Sequence, residues 1–137
     1  MAVSTQSWVK FAVPVELAHG SLLRQKIRGL LETAQFPEDA VEDVVLAVGE
    51  AFANAVAHGS GSRFEQVGIS VWARPRGFAI ELRYPGEPFD PVLPVEPDLD
   101  QLTGRGRFLM YALMDDVHYD FPPGETVVRL EKQFTTR

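Results

Sequence analysis

The segment from Pro37 to Gly59 constrains this chain more than any other. Pro37 suits a first helical position, and Glu38 and Asp39 favour the positive end of a helix dipole. The spacing predicts a helix that runs to about His58 and stops at Gly59. At 100° per residue, Val41, Val44, Val45, Val48, Phe52 and Ala55 fall on one side, which must face a core. Asp43, Ala47, Glu50, Asn54 and His58 fall on the other.

The rest of the chain supplies surfaces for that helix to pack on. Trp8, Phe11 and Val13 read as a first strand ended by Pro14. Residues 18–34 read as a helix, with Leu22, Leu23, Ile27, Leu30 and Leu31 at spacings of three and four. Gly29 inside it weakens it by about 1 kcal/mol. Residues 66–73 and 78–84 alternate as strands and join at Arg74-Pro75-Arg76-Gly77 in a hairpin. Pro85, Pro88, Pro91, Pro94 and Pro97 recur every third residue, the repeat of polyproline II. Residues 85–102 therefore read as a stiff, extended surface loop. Gly104-Arg105-Gly106 opens a third helix, about 107–117. Residues 118–121 and 126–133 read as two last strands around the turn Pro122-Pro123-Gly124-Glu125. The order β-α-α-β-β-α-β-β predicts an α+β fold, a mostly antiparallel sheet with helices on one face.

Composition narrows the function classes. The 137 residues suit one domain, 1–137, and carry 13 Lys+Arg against 19 Asp+Glu, a net charge of −6. An acidic surface repels phosphate backbones and anionic lipid, so neither nucleic acid nor a membrane is an expected partner. The charge is uneven: Glu38, Asp39, Glu42 and Asp43 crowd the second helix, while Arg105 and Arg107 open the third. The absence of cysteine excludes disulfides, thiolate metal sites and cysteine nucleophiles. The first ten residues lack a signal-peptide pattern, and no apolar run approaches the roughly 20 residues of a membrane span. A cytoplasmic protein is expected.

Two groups of residues carry chemistry. Glu50 and Asn54 lie four apart and are helix neighbours, with Ala47, Ala51, Ala53 and Ala57 around them. The small residues leave space for a ligand. A carboxylate there serves as a general base, and an amide oxygen suits magnesium beside phosphate. A plain polar stripe on an amphipathic helix has the same pattern. Gly104-Arg105-Gly106 offers close backbone approach, free amides at a helix start and a forked cation, which favour an anion. Together the two groups suggest a magnesium-nucleotide site.

The run Gly49-Glu50-Ala51-Phe52-Ala53-Asn54-Ala55-Val56-Ala57-His58-Gly59 resembles the N-box helix of GHKL ATPases. It is most similar to that of the bacterial anti-sigma factor serine/threonine kinases of partner-switching pathways. Residues 104–117 resemble that family's second glycine box and its helix, and Phe89-Asp90-Pro91 matches the end of the first glycine box. Thr126-Val127-Val128-Arg129-Leu130 resembles the last strand. The resemblance implies a Bergerat-type two-layer α/β sandwich. It implies Glu50 as the base for a serine or threonine hydroxyl and Asn54 as the magnesium ligand. Gly86 and Thr126 would line the ATP site, and Gly104, Arg105 and Gly106 would contact the triphosphate. The implied partners are a sigma factor and an anti-sigma-factor antagonist protein, and the implied assembly is a homodimer.

One region departs from the family pattern. Tyr84 stands where the family has an aspartate that hydrogen-bonds adenine, Pro88 replaces a glycine, and Glu125 stands where a glycine commonly precedes Thr126. Losing a charge-assisted hydrogen bond removes about 1.5–3 kcal/mol. The phosphate half of the site matches and the purine half does not. Two readings stay open, an ATP-dependent kinase and a nucleotide-independent pseudokinase that regulates by protein binding alone. A histidine-kinase phosphotransfer domain is a more distant third, since no helix pair with a phosphorylatable histidine precedes the domain.

Overall fold

The computed structural model describes residues 9–59, 65–74, 76–86, 88 and 110–133. Its elements are β1 (Val9–Pro14), a short 3-10 turn (Leu17–His19), α1 (Gly20–Thr33), α2 (Glu38–His58), β2 (Gln66–Arg74), β3 (Gly77–Pro85), β4 (Asp116–Asp120) and β5 (Glu125–Gln133). The strands form one antiparallel sheet in the order β1-β2-β3-β5-β4. Among the described residues, no helix is long and apolar enough to cross a membrane.

Alternation along each strand decides which face is covered. Phe11 and Val13 pair with Ile69 and Val67, and Ile69 and Val71 pair with Leu82 and Ile80. Leu82 and Ile80 pair in turn with Val128 and Leu130, which face Tyr119 and Val117. These rows build one continuous core with α1 and α2. The opposite face carries charge. Glu81 pairs with Arg83 at 3.5 Å and Arg129 at 3.2 Å, and the Arg129 guanidinium lies over the Trp72 ring. A sheet with one greasy and one charged face gives two layers, as the sequence predicts.

Leu23, Ile27 and Leu31 of α1 are buried on the core side. The turn into α2 puts Gln35 at φ 62°, and the Phe36 amide donates back to the Leu31 carbonyl at 3.1 Å. This is a helix-ending motif that usually recruits glycine. Arg28 and Glu42 then join the two helices in an ion pair. That pairing holds the Glu42 carboxyl below the usual carboxylate range and the Arg28 guanidinium above its own. Both groups are exposed, so the pair fixes geometry more than stability.

Three expectations shift. Pro37 is the residue before α2 and not its first helical residue. The third helix ends earlier than Val117: residues 110–113 are helical, and β4 already begins at Asp116 rather than His118. The cause is the pull of β5. Lys132 Nζ donates to the Leu113 carbonyl at 2.6 Å and meets Asp43 at 3.3 Å, while the Asp115 amide donates to the Glu131 carbonyl at 2.9 Å. The proline repeat beyond Gly86 and the helix start at 104–107 lie outside the described residues.

Gly29 lies in the exposed interior of α1, and a Cβ there would meet no atom within 4 Å. Gly29→Ala should therefore stabilise the fold by about 1 kcal/mol, read as a raised denaturation midpoint with an unchanged slope.

Candidate functional site

The C-terminal half of α2 runs beside the ends of three strands. Its buried arc is wider than the valine face alone. Ala47 and Ala51 are fully buried, so Ala47 does not belong to the polar side where the sequence placed it. The reason is that α2 packs against both α1 and the sheet. Small side chains at 47 and 51 let it approach closely, and they serve as core and not as ligand space. Ala53 is half-buried and Ala57 exposed.

Glu50 and Asn54 remain half-buried on the flank. The Glu50 carboxylate has no hydrogen bond or ion pair among the described residues. Asn54 Nδ2 donates to Tyr119 Oη at 3.2 Å. Its Oδ1 has no partner among the described residues, so the amide presents its acceptor side. Tyr119 is the residue sequence reasoning missed. Its signal was available in the alternation of β4, where Val117 and Tyr119 are the inward positions. Tyr119 also stacks on Phe121, with ring centroids 6.2 Å apart.

The helix end meets the strand ends at two glycines. Gly59 and Gly86 form an isolated antiparallel bridge. A Cβ on Gly86 would lie 2.9 Å from the His58 carbonyl oxygen, so glycine is required by close approach. The Gly86 amide donates to the Gly124 carbonyl at 3.2 Å, which ties the exit of β3 to the entry of β5. Beside this junction sits Thr126, 0% exposed, whose Oγ1 has no hydrogen-bond partner. Its cross-strand partner is Tyr84, 1% exposed and the largest of the fully buried side chains among the described residues. Glu125 points the other way: its carboxylate accepts from Arg83 Nη1 at 2.7 Å, on the exposed side of the sheet. Glu125 therefore does not belong with Tyr84 as an alteration of the purine half. Gly104, Arg105 and Gly106 lie outside the described residues, as does Phe89-Asp90-Pro91.

The two ends of the site differ in what they accept. The Asn54 oxygen fits a magnesium ion that draws its other ligands from phosphate and water. Among the described residues no group of three or more His, Asp or Glu side chains stands ready to bind a metal alone. At the other end the buried Tyr84 lies across from Thr126 on the neighbouring strand.

A two-layer sandwich with an antiparallel sheet and a Glu/Asn helix over its strand ends is the architecture of the histidine kinase-like ATPases. The chain belongs to that family, whose histidine kinase-like ATPase domain profile matches residues 13–132. Among its relatives are proteins named serine-protein kinase RsbW. The one from Oceanobacillus iheyensis is 29% identical over 128 residues, covering 84% of this chain and 80% of the relative. That of Staphylococcus aureus is 29% identical over 136 residues, covering 90% of this chain and 86% of the relative. The anti-sigma serine kinase likeness read from the Glu50 and Asn54 helix is thus met.

Solved structures show the same fold. The RsbU and RsbW domains of a Mycobacterium tuberculosis protein match with a TM-score of 0.64 at 16% identity, over 93% of this chain and 35% of that one. The histidine kinase domain of an Erythrobacter litoralis blue-light activated kinase matches with a TM-score of 0.58 at 15% identity, over 98% of this chain and 66% of that one. The chain spans about a third of the first structure and about two thirds of the second.

A buried hydroxyl without a partner costs about 1–3 kcal/mol of desolvation. Thr126→Val keeps the shape and removes that cost, so it should raise the unfolding temperature of the ligand-free protein by a few degrees. A lowered unfolding temperature would show that Thr126 Oγ1 has a bound partner.

Proposed function

We propose that this chain is an anti-sigma regulatory protein of the partner-switching kind. It binds a sigma factor and an antagonist protein, and it phosphorylates a serine or threonine of the antagonist. The observation that carries this reading is the Glu50–Asn54 pair. A carboxylate without a partner among the described residues and an amide with its oxygen presented lie one helical turn apart on a half-buried face. Glu50 would act as the base for the attacking hydroxyl, and Asn54 would hold magnesium. Gly104, Arg105 and Gly106 are assigned to the triphosphate. Mg-ATP, when bound, supplies the phosphoryl group and a neutralising cation, and the protein contributes mainly position and charge. The names of the relatives support the kinase assignment. A cytoplasmic homodimer belongs to the same proposal.

Burial of Tyr84 favours a second reading, in which the same fold regulates by protein binding alone. The two part on a single assay. The purified chain is mixed with Mg-ATP and a candidate antagonist, and phosphoserine or phosphothreonine is read by mass spectrometry. The kinase reading expects modification that falls by about 100-fold or more in Glu50→Gln, with antagonist binding retained. Equal modification by Glu50→Gln would remove Glu50 as the base. Tight sigma-factor binding without any modification would select the second reading.

A further inference from the structure

We infer that Tyr84 is a built-in plug of the purine subsite, so that this site does not select its nucleotide by the base. The inference rests on the reading of the site as a nucleotide site and concerns only its purine end. Three observations carry it.

The first is the place of the ring. Tyr84 is an inward residue of β3, 1% exposed, and part of the central core. It continues the inward row of Phe78, Ile80 and Leu82, so it packs as a core residue and not as a surface group. The second is the hydroxyl left beside it. Thr126 lies directly across from Tyr84, fully buried, and its Oγ1 has no hydrogen bond. A buried polar atom without a partner calls for an explanation, and a site whose ligand contact has been replaced by a core ring supplies one. The third is the rigidity of the wall. Gly86 is bridged to Gly59 and bonded to Gly124, and its α-carbon leaves no room for a side chain against the His58 carbonyl. The exit of β3 cannot swing outward to admit a base beside the ring without breaking the α2–β3 junction.

A phenol also differs in chemistry from a carboxylate. It offers one oxygen at the end of a rigid ring, with no charge at neutral pH. It cannot accept from an exocyclic amine in the geometry of a short acidic side chain. The phosphate end has no such obstacle at Asn54. Whatever affinity the site has therefore comes from phosphates and metal, which every nucleoside triphosphate shares.

The test is calorimetric titration of the whole chain with Mg-ATP, Mg-GTP and magnesium tripolyphosphate, repeated for Tyr84→Asp and Tyr84→Phe. The native chain should bind all three within about threefold of one another, or none of them. Tyr84→Phe should behave as the native chain. Tyr84→Asp should gain at least about tenfold for ATP alone, the worth of one charge-assisted hydrogen bond. Should Tyr84→Asp fail to fold, Tyr84→Gly replaces it. Adenosine should then raise the unfolding temperature of Tyr84→Gly and leave the native chain unmoved. Native binding that favours ATP by tenfold or more overturns the plug and leaves the kinase reading standing. A folded variant with a vacated position 84 that gains nothing for the adenine ligand also overturns it. If the native chain binds none of the three and the variant gains ATP, the plug stands and the kinase reading falls.

Discussion

Burial of α2 in the angle between α1 and the sheet is the contact on which the rest of the structure depends. Val41, Val44, Val48, Phe52 and Ala55 are all at most 1% exposed. Each large side chain buried in this way contributes about 1.5–3 kcal/mol. The alanines at 47 and 51 matter by being small. They let the helix settle onto the sheet, and so bring its flank alongside β4 and β5. Without that approach, Glu50 and Asn54 would be an ordinary polar stripe in water. With it, Asn54 reaches Tyr119, and Glu50 sits half-buried beside the same strand ends.

The same packing makes the site asymmetric. At one end a polar pair faces outward with acceptor atoms free among the described residues. At the other, Tyr84 is packed into the core across from the buried Thr126. A core prefers a ring to a void, because a void forfeits dispersion contacts and a buried charge costs desolvation. Across the strand pair from that ring, the Thr126 hydroxyl has no hydrogen bond.

The uncovered face of the sheet is held by charge instead. Glu81, Arg83, Arg129 and Glu125 pair across β3 and β5, and Arg129 covers Trp72. Exposed pairs of this kind add little stability singly. They keep a half-open sheet hydrated, and they explain why Glu125 is compatible with the site: successive residues of β5 face opposite sides, so its carboxylate and the Thr126 hydroxyl never compete.

The sequence by itself determined the elements and their order. Periods of 2 and 3.6 are local properties of the chain, so every described strand, both long helices and the pairing of β2 with β3 as a hairpin were legible, as was the Glu50–Asn54 pair. Element ends were less legible where a distant residue sets them: Lys132, far along the chain, terminates the helix at Leu113. The tertiary structure alone decided which small residues are core, which strand residue orients Asn54, and that Tyr84 lies inside while Glu125 lies outside. These depend on which surfaces meet and at what distance. A helical wheel or a strand pattern shows a residue's side but not the width of the surface that covers it.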